Sequence, residues 1–151
     1  MIYKNGKFQD VVERIDLLIE GETDIISKMS TISCEIFQSF GHFNWVGFYR
    51  LVDKQILKVG PYQGTHGCLT IKVGEGVCGR CALEKKVQLE NDVNRNPHHI
   101  ACSADTKSEI VIPVFDKLGT LKAVLDIDSI ELNSFNSDDS KFLTHITSKI
   151  Y

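Results

Sequence analysis

Two apolar, β-branched segments, SEIVIPVF (108–115) and LKAVLDIDS (121–129), stand on either side of Asp116-Lys117-Leu118-Gly119-Thr120. Runs of this kind joined by a short Gly-containing turn pair as a hairpin. The second run contains two aspartates, Asp126 and Asp128, inside an otherwise apolar strand, where aspartate is depleted. Residues two apart on a strand share a face. Either that face looks at solvent, or the two carboxyls line a pocket.

The rest of the chain supplies partners for the hairpin. FNWVGFYRLV (43–52) is rich in aromatic and β-branched residues, and QILKVGPYQG (55–64) follows after Asp53-Lys54. CLTIKV (68–73) alternates as strands do, and VQLEND (87–92) reads as a short strand. Between them GEGVCGRCALEKK (74–86) opens with glycines and continues with helix formers. Residues 93–106 are polar and irregular and read as a loop. Phe8, Val11, Val12, Ile15, Leu18 and Ile19 recur at helical spacing before Gly21. A second helix begins near Thr23 with Ile25, Met29, Ile32, Ile36 and Phe40 as its stripe, closed by Gly41. A last helix starts at Asn136-Ser137 and turns Phe142, Leu143, Ile146 and Ile150 inward. The expectation is one α+β domain over 1–151: five or six mostly antiparallel strands, with N- and C-terminal helices packed on one sheet.

Composition narrows the function classes. The 151 residues suffice for one core, and the net charge of −3 comes without a Lys/Arg block, which argues against a nucleic-acid surface. No apolar run reaches the ~20 residues of a membrane span. The polar start MIYKNGKFQD lacks a secretory core, so a cytoplasmic location is expected. Five cysteines, Cys34, Cys68, Cys78, Cys81 and Cys102, are an odd number in such a setting and do not read as a structural disulfide framework.

Four constellations carry chemistry. Cys78-Gly79-Arg80-Cys81 is a C-x-x-C that suits a redox dithiol or half of a zinc site completed by His98, His99 or Cys102, but the pairing His98-x-x-x-Cys102 is unusual for zinc. Cys81 reads better as a small core residue on a first helical turn, and Cys34 as an edge residue without a role. Asp126 and Asp128, crowded and partly desolvated, would hold a proton near neutral pH, and Glu109 joins them if the hairpin register allows. Trp45 and Tyr49, four apart on one face, with Tyr62 in the next strand, are either core or an aromatic wall for a ligand with an apolar end and a cationic amine. Cys102 lies in the polar loop HHIACSADTK, where mere space-filling is less expected. His98 or His99 would favour its thiolate, and either Cys68 or Cys78 could approach it to close a disulfide after oxidation to sulfenic acid.

NWVGFYRL, GPYQG, the cysteine of GCLTI, GEGVCG, HIAC, SEIVIPV and VLDIDS occur here in the order found in the free methionine-(R)-sulfoxide reductases, small enzymes built on a GAF domain. The chain resembles that family from about residue 44 to 138. The resemblance implies a GAF fold and reduction of free methionine (R)-sulfoxide. It implies Cys102 as nucleophile, Cys68 as resolving cysteine and Cys78 as the third family cysteine. Glu109, Asp126 and Asp128 then resemble the substrate-binding and proton-handling carboxylates, and Trp45 and Tyr49 the wall near the substrate methyl. It further implies a homodimer, thioredoxin or a similar thiol as reductant, and no metal or organic cofactor. Three positions depart from the family pattern: His98 replaces a glycine, Ser103 an aspartate and Cys81 a small non-cysteine residue. A GAF domain that senses redox state or a small ligand without turnover is the competing expectation, since fold alone does not imply function.

Overall fold

The computed structural model describes residues 5–100 and 102–151. Strands β1 (Phe43–Asp53), β2 (Ile56–Gly64), β3 (Thr70–Lys72), β4 (Gln88–Glu90), β5 (Ser108–Phe115) and β6 (Leu121–Ser129) form one antiparallel sheet in the order β3-β2-β1-β6-β5-β4. The hairpin expected from residues 108–129 is therefore β5–β6, and β6 lies at the centre of the sheet between β1 and β5. The strands expected at 68–73 and 87–92 are shorter, three residues each. The described residues of 93–106, read as a loop, include a 3₁₀ turn at Val93–Arg95.

The helices do not all pack on one face. Helices α1 (Gly6–Leu18), α2 (Ile25–Ser39) and α4 (Ser137–Thr147) cover one side through Phe8, Ile15, Met29, Ile32, Ile36, Phe142 and Ile146. They meet Val46, Phe48, Ile110, Ile112, Leu125 and Ile127 from the sheet. Burying each such side chain contributes about 1.5–3 kcal/mol. Phe8 and Phe142 stack with centroids 4.3 Å apart and tie the first helix to the last. The short α3 (Gly76–Glu84) covers the opposite face, packing Val77, Cys78, Cys81 and Ala82 against Trp45, Tyr49, Val111 and Val124. The N- and C-terminal helices thus flank the sheet as expected, and the helix formers of 74–86 supply α3.

Caps follow the side-chain chemistry. Asn5 accepts from Lys7 N, Asp24 from Ser27 N, and Asn136 and Asp139 form a reciprocal capping box at α4. By contrast, the N-terminus of α3 has no side-chain cap.

Candidate functional site

Strand parity decides which side chains reach the α3 face. On β1, Val46 and Phe48 enter the large core, which turns Trp45, Gly47 and Tyr49 the other way. On β6, Leu125 and Ile127 enter the core and Asp126 and Asp128 take the opposite face. The register places Asp126 across from Gly47 and Val111, and Asp128 across from Trp45 and Glu109. Glu109 therefore shares the face with both aspartates, which settles the register question that sequence leaves open. The solvent-facing alternative for Asp126 and Asp128 fails for the same reason: β6 is a central strand, and Asp126 is only 6% exposed.

These groups line a cleft between the sheet, the start of α3 and the segment before β5. Tyr49, Cys78, His99, Cys102, Ser103, Thr106, Glu109, Asp126 and Asp128 contribute to its walls, and among the described residues lining it there is no Lys or Arg. Burial drives the protonation states. Glu109 is pushed well above the usual carboxylate range by desolvation and then by Asp128. Asp126 is raised by desolvation and then by Glu109, and Asp128 by desolvation and then by Asp126. The thiol of Cys78 is held in its neutral form by burial and by Asp126, to which it is hydrogen-bonded. The phenol of Tyr49 is raised by burial first and by Asp126 second. Asp126 Oδ1 is buried and has no hydrogen-bond partner among the described residues, an arrangement that costs free energy unless a ligand completes it.

An aromatic recess adjoins the acidic floor. Trp45 stacks on Tyr49 at 5.6 Å and on Tyr62 at 5.2 Å, and its indole N–H donates to Thr65 O at 3.1 Å. Gly47 makes the stack possible, since a Cβ there would come within 2.6 Å of the Trp45 ring and closer still to Tyr62. Trp45, Tyr49, His66 and Gly67 line the recess, and Cys102, Ser103, Asp126 and Asp128 line it as well as the cleft. One end of the site is thus aromatic and the other acidic.

Cys102 is disulfide-bonded to Cys68, with Cα atoms 5.6 Å apart and a separation of 34 positions in sequence. Both residues are half-buried, so the bond is reachable from solvent. Of the two thiols expected near Cys102, Cys68 is the bonded one; Cys78 lies deeper, at the first turn of α3. Cys81 is fully buried and its thiol donates to Val111 O at 3.7 Å, in keeping with a core role. The zinc arrangement of Cys78 and Cys81 with His98, His99 or Cys102 is not assembled: Cys102 is bonded elsewhere, Cys81 points into the core and His98 is exposed. The donor atoms that do converge are Cys78 Sγ and carboxylate oxygens of Glu109 and Asp126, all within 4.8 Å. Such a trio can face one small cationic group.

Three features escaped the sequence reading. His99 Nε2 lies 3.3 Å from Glu109 Oε2, so His99 reaches a carboxyl rather than standing only as a helper of the thiolate. Thr106 is buried beside Asp128 and accepts from Asn44 Nδ2 at 3.2 Å. Arg80 binds Gln88 and Glu90 at the rear of the carboxyl group. No local pattern marks these three, because each depends on which strands become neighbours.

Comparison with known proteins places this geometry among relatives. The GAF domain family matches residues 26–150. GAF domain-containing protein A of Dictyostelium discoideum is 38% identical over 143 residues, covering 95% of this chain and 89% of that protein. The free methionine-R-sulfoxide reductase of Saccharomyces cerevisiae is 34% identical over 152 residues, covering 94% of this chain and 84% of that protein. The crystal structure of free methionine-R-sulfoxide reductase from Neisseria meningitidis, in complex with its substrate, superposes with a TM-score of 0.89 at 33% identity. That match covers 99% of this chain and 90% of that one.

Proposed function

The chain belongs to the GAF-domain family, and within it to the free methionine-R-sulfoxide reductases; from that membership we propose how its residues divide the work. The protein is a thiol-dependent reductase that converts free L-methionine (R)-sulfoxide to methionine. In our reading residues 1–151 are a single GAF domain working in the cytoplasm as a homodimer, without metal or organic cofactor, with thioredoxin or a similar dithiol as reductant.

The observation that carries the residue assignments is a half-buried disulfide, Cys68–Cys102, at the rim of a cleft floored by three carboxyls whose pKa values burial raises. A sulfoxide sulfur becomes electrophilic when its oxygen is protonated, and a carboxylic acid of raised pKa supplies that proton. The Cys102 thiolate attacks the sulfur. The S–O bond breaks, the oxygen and the donated proton pass to Cys102 as sulfenic acid, and methionine leaves. Cys68 then displaces water from the sulfenic acid and closes the disulfide observed here. An external dithiol supplies two electrons and two protons to reopen it. Cys78, beneath the site, is the third family cysteine and serves as a slower reserve thiol.

Substrate orientation follows from polarity. Asp126, Asp128 and Glu109 face the ammonium and the sulfoxide oxygen, and the Trp45–Tyr49 wall faces the S-methyl group. Methionine inside a protein lacks the ammonium, which accounts for a preference for the free amino acid.

The deciding experiment follows conversion of free L-methionine (R)-sulfoxide with excess dithiothreitol, comparing wild type with Cys102→Ser. Turnover by wild type and none by Cys102→Ser is the expected result. Full activity in Cys102→Ser would move the nucleophile elsewhere. Absence of turnover in wild type would favour a GAF domain that registers oxidation without catalysis.

A further inference from the structure

Cys102 is carried by the segment that leads into β5. Among the described residues between 97 and 104, His98 and His99 donate their backbone N–H groups to Asn96, and Ile100, Cys102 and His99 make side-chain contacts beyond that turn. The Ile100 side chain lies against Gly76, where a Cβ would meet it at 3.0 Å. Cys102 is bonded to Cys68. His99 Nε2 contacts Glu109 Oε2 at 3.3 Å, with both side chains largely buried.

The bond to Cys68 is transient. In the reaction proposed above, on which this inference rests, Cys102 attacks only after the disulfide has been opened. During the chemical step the Ile100 contact with Gly76 and the His99 contact with Glu109 are the side-chain attachments described above that do not depend on the disulfide. The polar one starts three residues before the nucleophile and ends on a carboxyl of the substrate cleft. We propose that His99 is a positioning residue: its contact with Glu109 holds the reduced Cys102 segment over the acidic floor and at the same time fixes Glu109 in the cleft.

The surroundings suit that role. The groups around the pair are Glu90 on β4, Asp126 and Asp128 on β6, and Arg80 and Cys78 on α3. Arg80 is already bonded to Gln88 and Glu90, while His99 Nε2 lies 3.3 Å from Glu109 Oε2. His98 is exposed and donates its backbone N–H to Asn96 Oδ1, so it does not share the task. A nucleophile displaced by about 1 Å loses on the order of 10²-fold in rate.

The test compares wild type, His99→Ala and His99→Gln. Cys102 in the fully reduced proteins is alkylated with iodoacetamide from pH 6 to 10 and followed by peptide mapping, alongside kcat and KM for free methionine (R)-sulfoxide. With the segment released, His99→Ala should raise the plateau rate of Cys102 alkylation severalfold while its pH midpoint stays put. It should also lower kcat roughly 10²-fold with a smaller change in KM. The oxidised protein should melt as wild type does, because Cys68–Cys102 still ties the segment down. His99→Gln, whose amide can donate to Glu109, should recover at least tenfold in kcat. A shifted pH midpoint with an unchanged plateau would make His99 a charge partner of the thiolate and overturn the proposal. An unchanged kcat in His99→Ala, or equal losses in both variants, would overturn it as well. If wild type shows no turnover, the reductase reading fails, and the alkylation plateau still decides whether His99 holds the segment.

Discussion

Glu109 sits directly across from Asp128 in the β5–β6 ladder, and both carboxyls turn toward the cleft instead of solvent. Two acidic groups opposed in an antiparallel pair repel when ionised. Desolvation raises Glu109 above its ordinary pKa, and Asp128 adds to the rise. The folded protein therefore binds more protons than the unfolded chain once the pH exceeds the ordinary carboxylate value, and stability falls as pH climbs from there toward the raised folded value. Each pKa unit of difference is worth about 1.4 kcal/mol. Glu109→Gln, which keeps the shape and removes the charge, should flatten the decline and melt higher than wild type at pH 8, while the two converge near pH 4. Melting curves of both proteins across that range check it. A wild-type protein that grows more stable from pH 5 to pH 8, with Glu109→Gln tracking it, would mean that this carboxyl ionises freely in the fold.

Asp126 Oδ1, buried and without a partner among the described residues, would be satisfied by a substrate N–H in the proposed binding mode. Sites built to pair a polar group reject analogues that lack it, because their own buried atom is then left unsatisfied. N-acetyl-methionine (R)-sulfoxide should lose at least ~10²-fold in kcat/KM against the free amino acid in wild type. In Asp126→Asn the ratio should shrink, mainly because the free substrate gets worse. Steady-state kinetics on the two substrates measure the ratio. An unchanged ratio in the variant would separate Asp126 from recognition of the amine.

Trp45 can stack on Tyr62 only because Gly47 has no side chain. Gly47→Ala should force the rings apart, lower stability by about 1–3 kcal/mol as overpacking does, and raise KM by loosening the proposed methyl wall. Trp45→Ala should raise KM further while Cys68 and Cys102 still form their disulfide. Denaturant titration and a thiol count after mild oxidation distinguish lost packing from lost redox chemistry. A Gly47→Ala protein as stable as wild type, with unchanged KM, would show that the stack does not shape the site.

Much of this architecture was legible in the sequence because its signals are periodic. The stripe of Phe8, Val11, Val12 and Ile15 and the alternation through LKAVLDIDS report which side of an element is buried, whatever the element packs against. Asp126 and Asp128 stood out for the same reason: a charge inside an apolar alternation has to be explained. Glu109 was undecided because a one-residue slip exchanges the faces of a strand, and only the pairing of Glu109 with Asp128 removes the ambiguity. The choice between Cys68 and Cys78 as partner of Cys102 is likewise a distance in space, which spacing along the chain does not encode. The His99–Glu109 contact belongs to the same class, and so does the placement of α3 alone on the second face.

Cys81 provides the sharpest contrast among the five thiols. It stands three residues from Cys78 on α3, which on spacing alone resembles a redox pair. Yet its side chain is completely buried, burial pushes its thiol well up, and it donates to Val111 O. A thiol in that state is a poor nucleophile and a poor competitor for a sulfenic acid at the rim. Cys81→Ala should leave turnover and Cys68–Cys102 formation unchanged and cost about 1 kcal/mol for the lost sulfur contacts. Cys68→Ser should behave differently. With dithiothreitol, which can reach the half-buried Cys102, turnover should persist at a reduced rate, and dimedone should trap Cys102 as the sulfenic acid. Mass spectrometry of the trapped protein reads this directly. If Cys81→Ala abolished the residual turnover of Cys68→Ser, the α3 thiols would be exchanging with Cys102 after all, and the helix would have to open to let them.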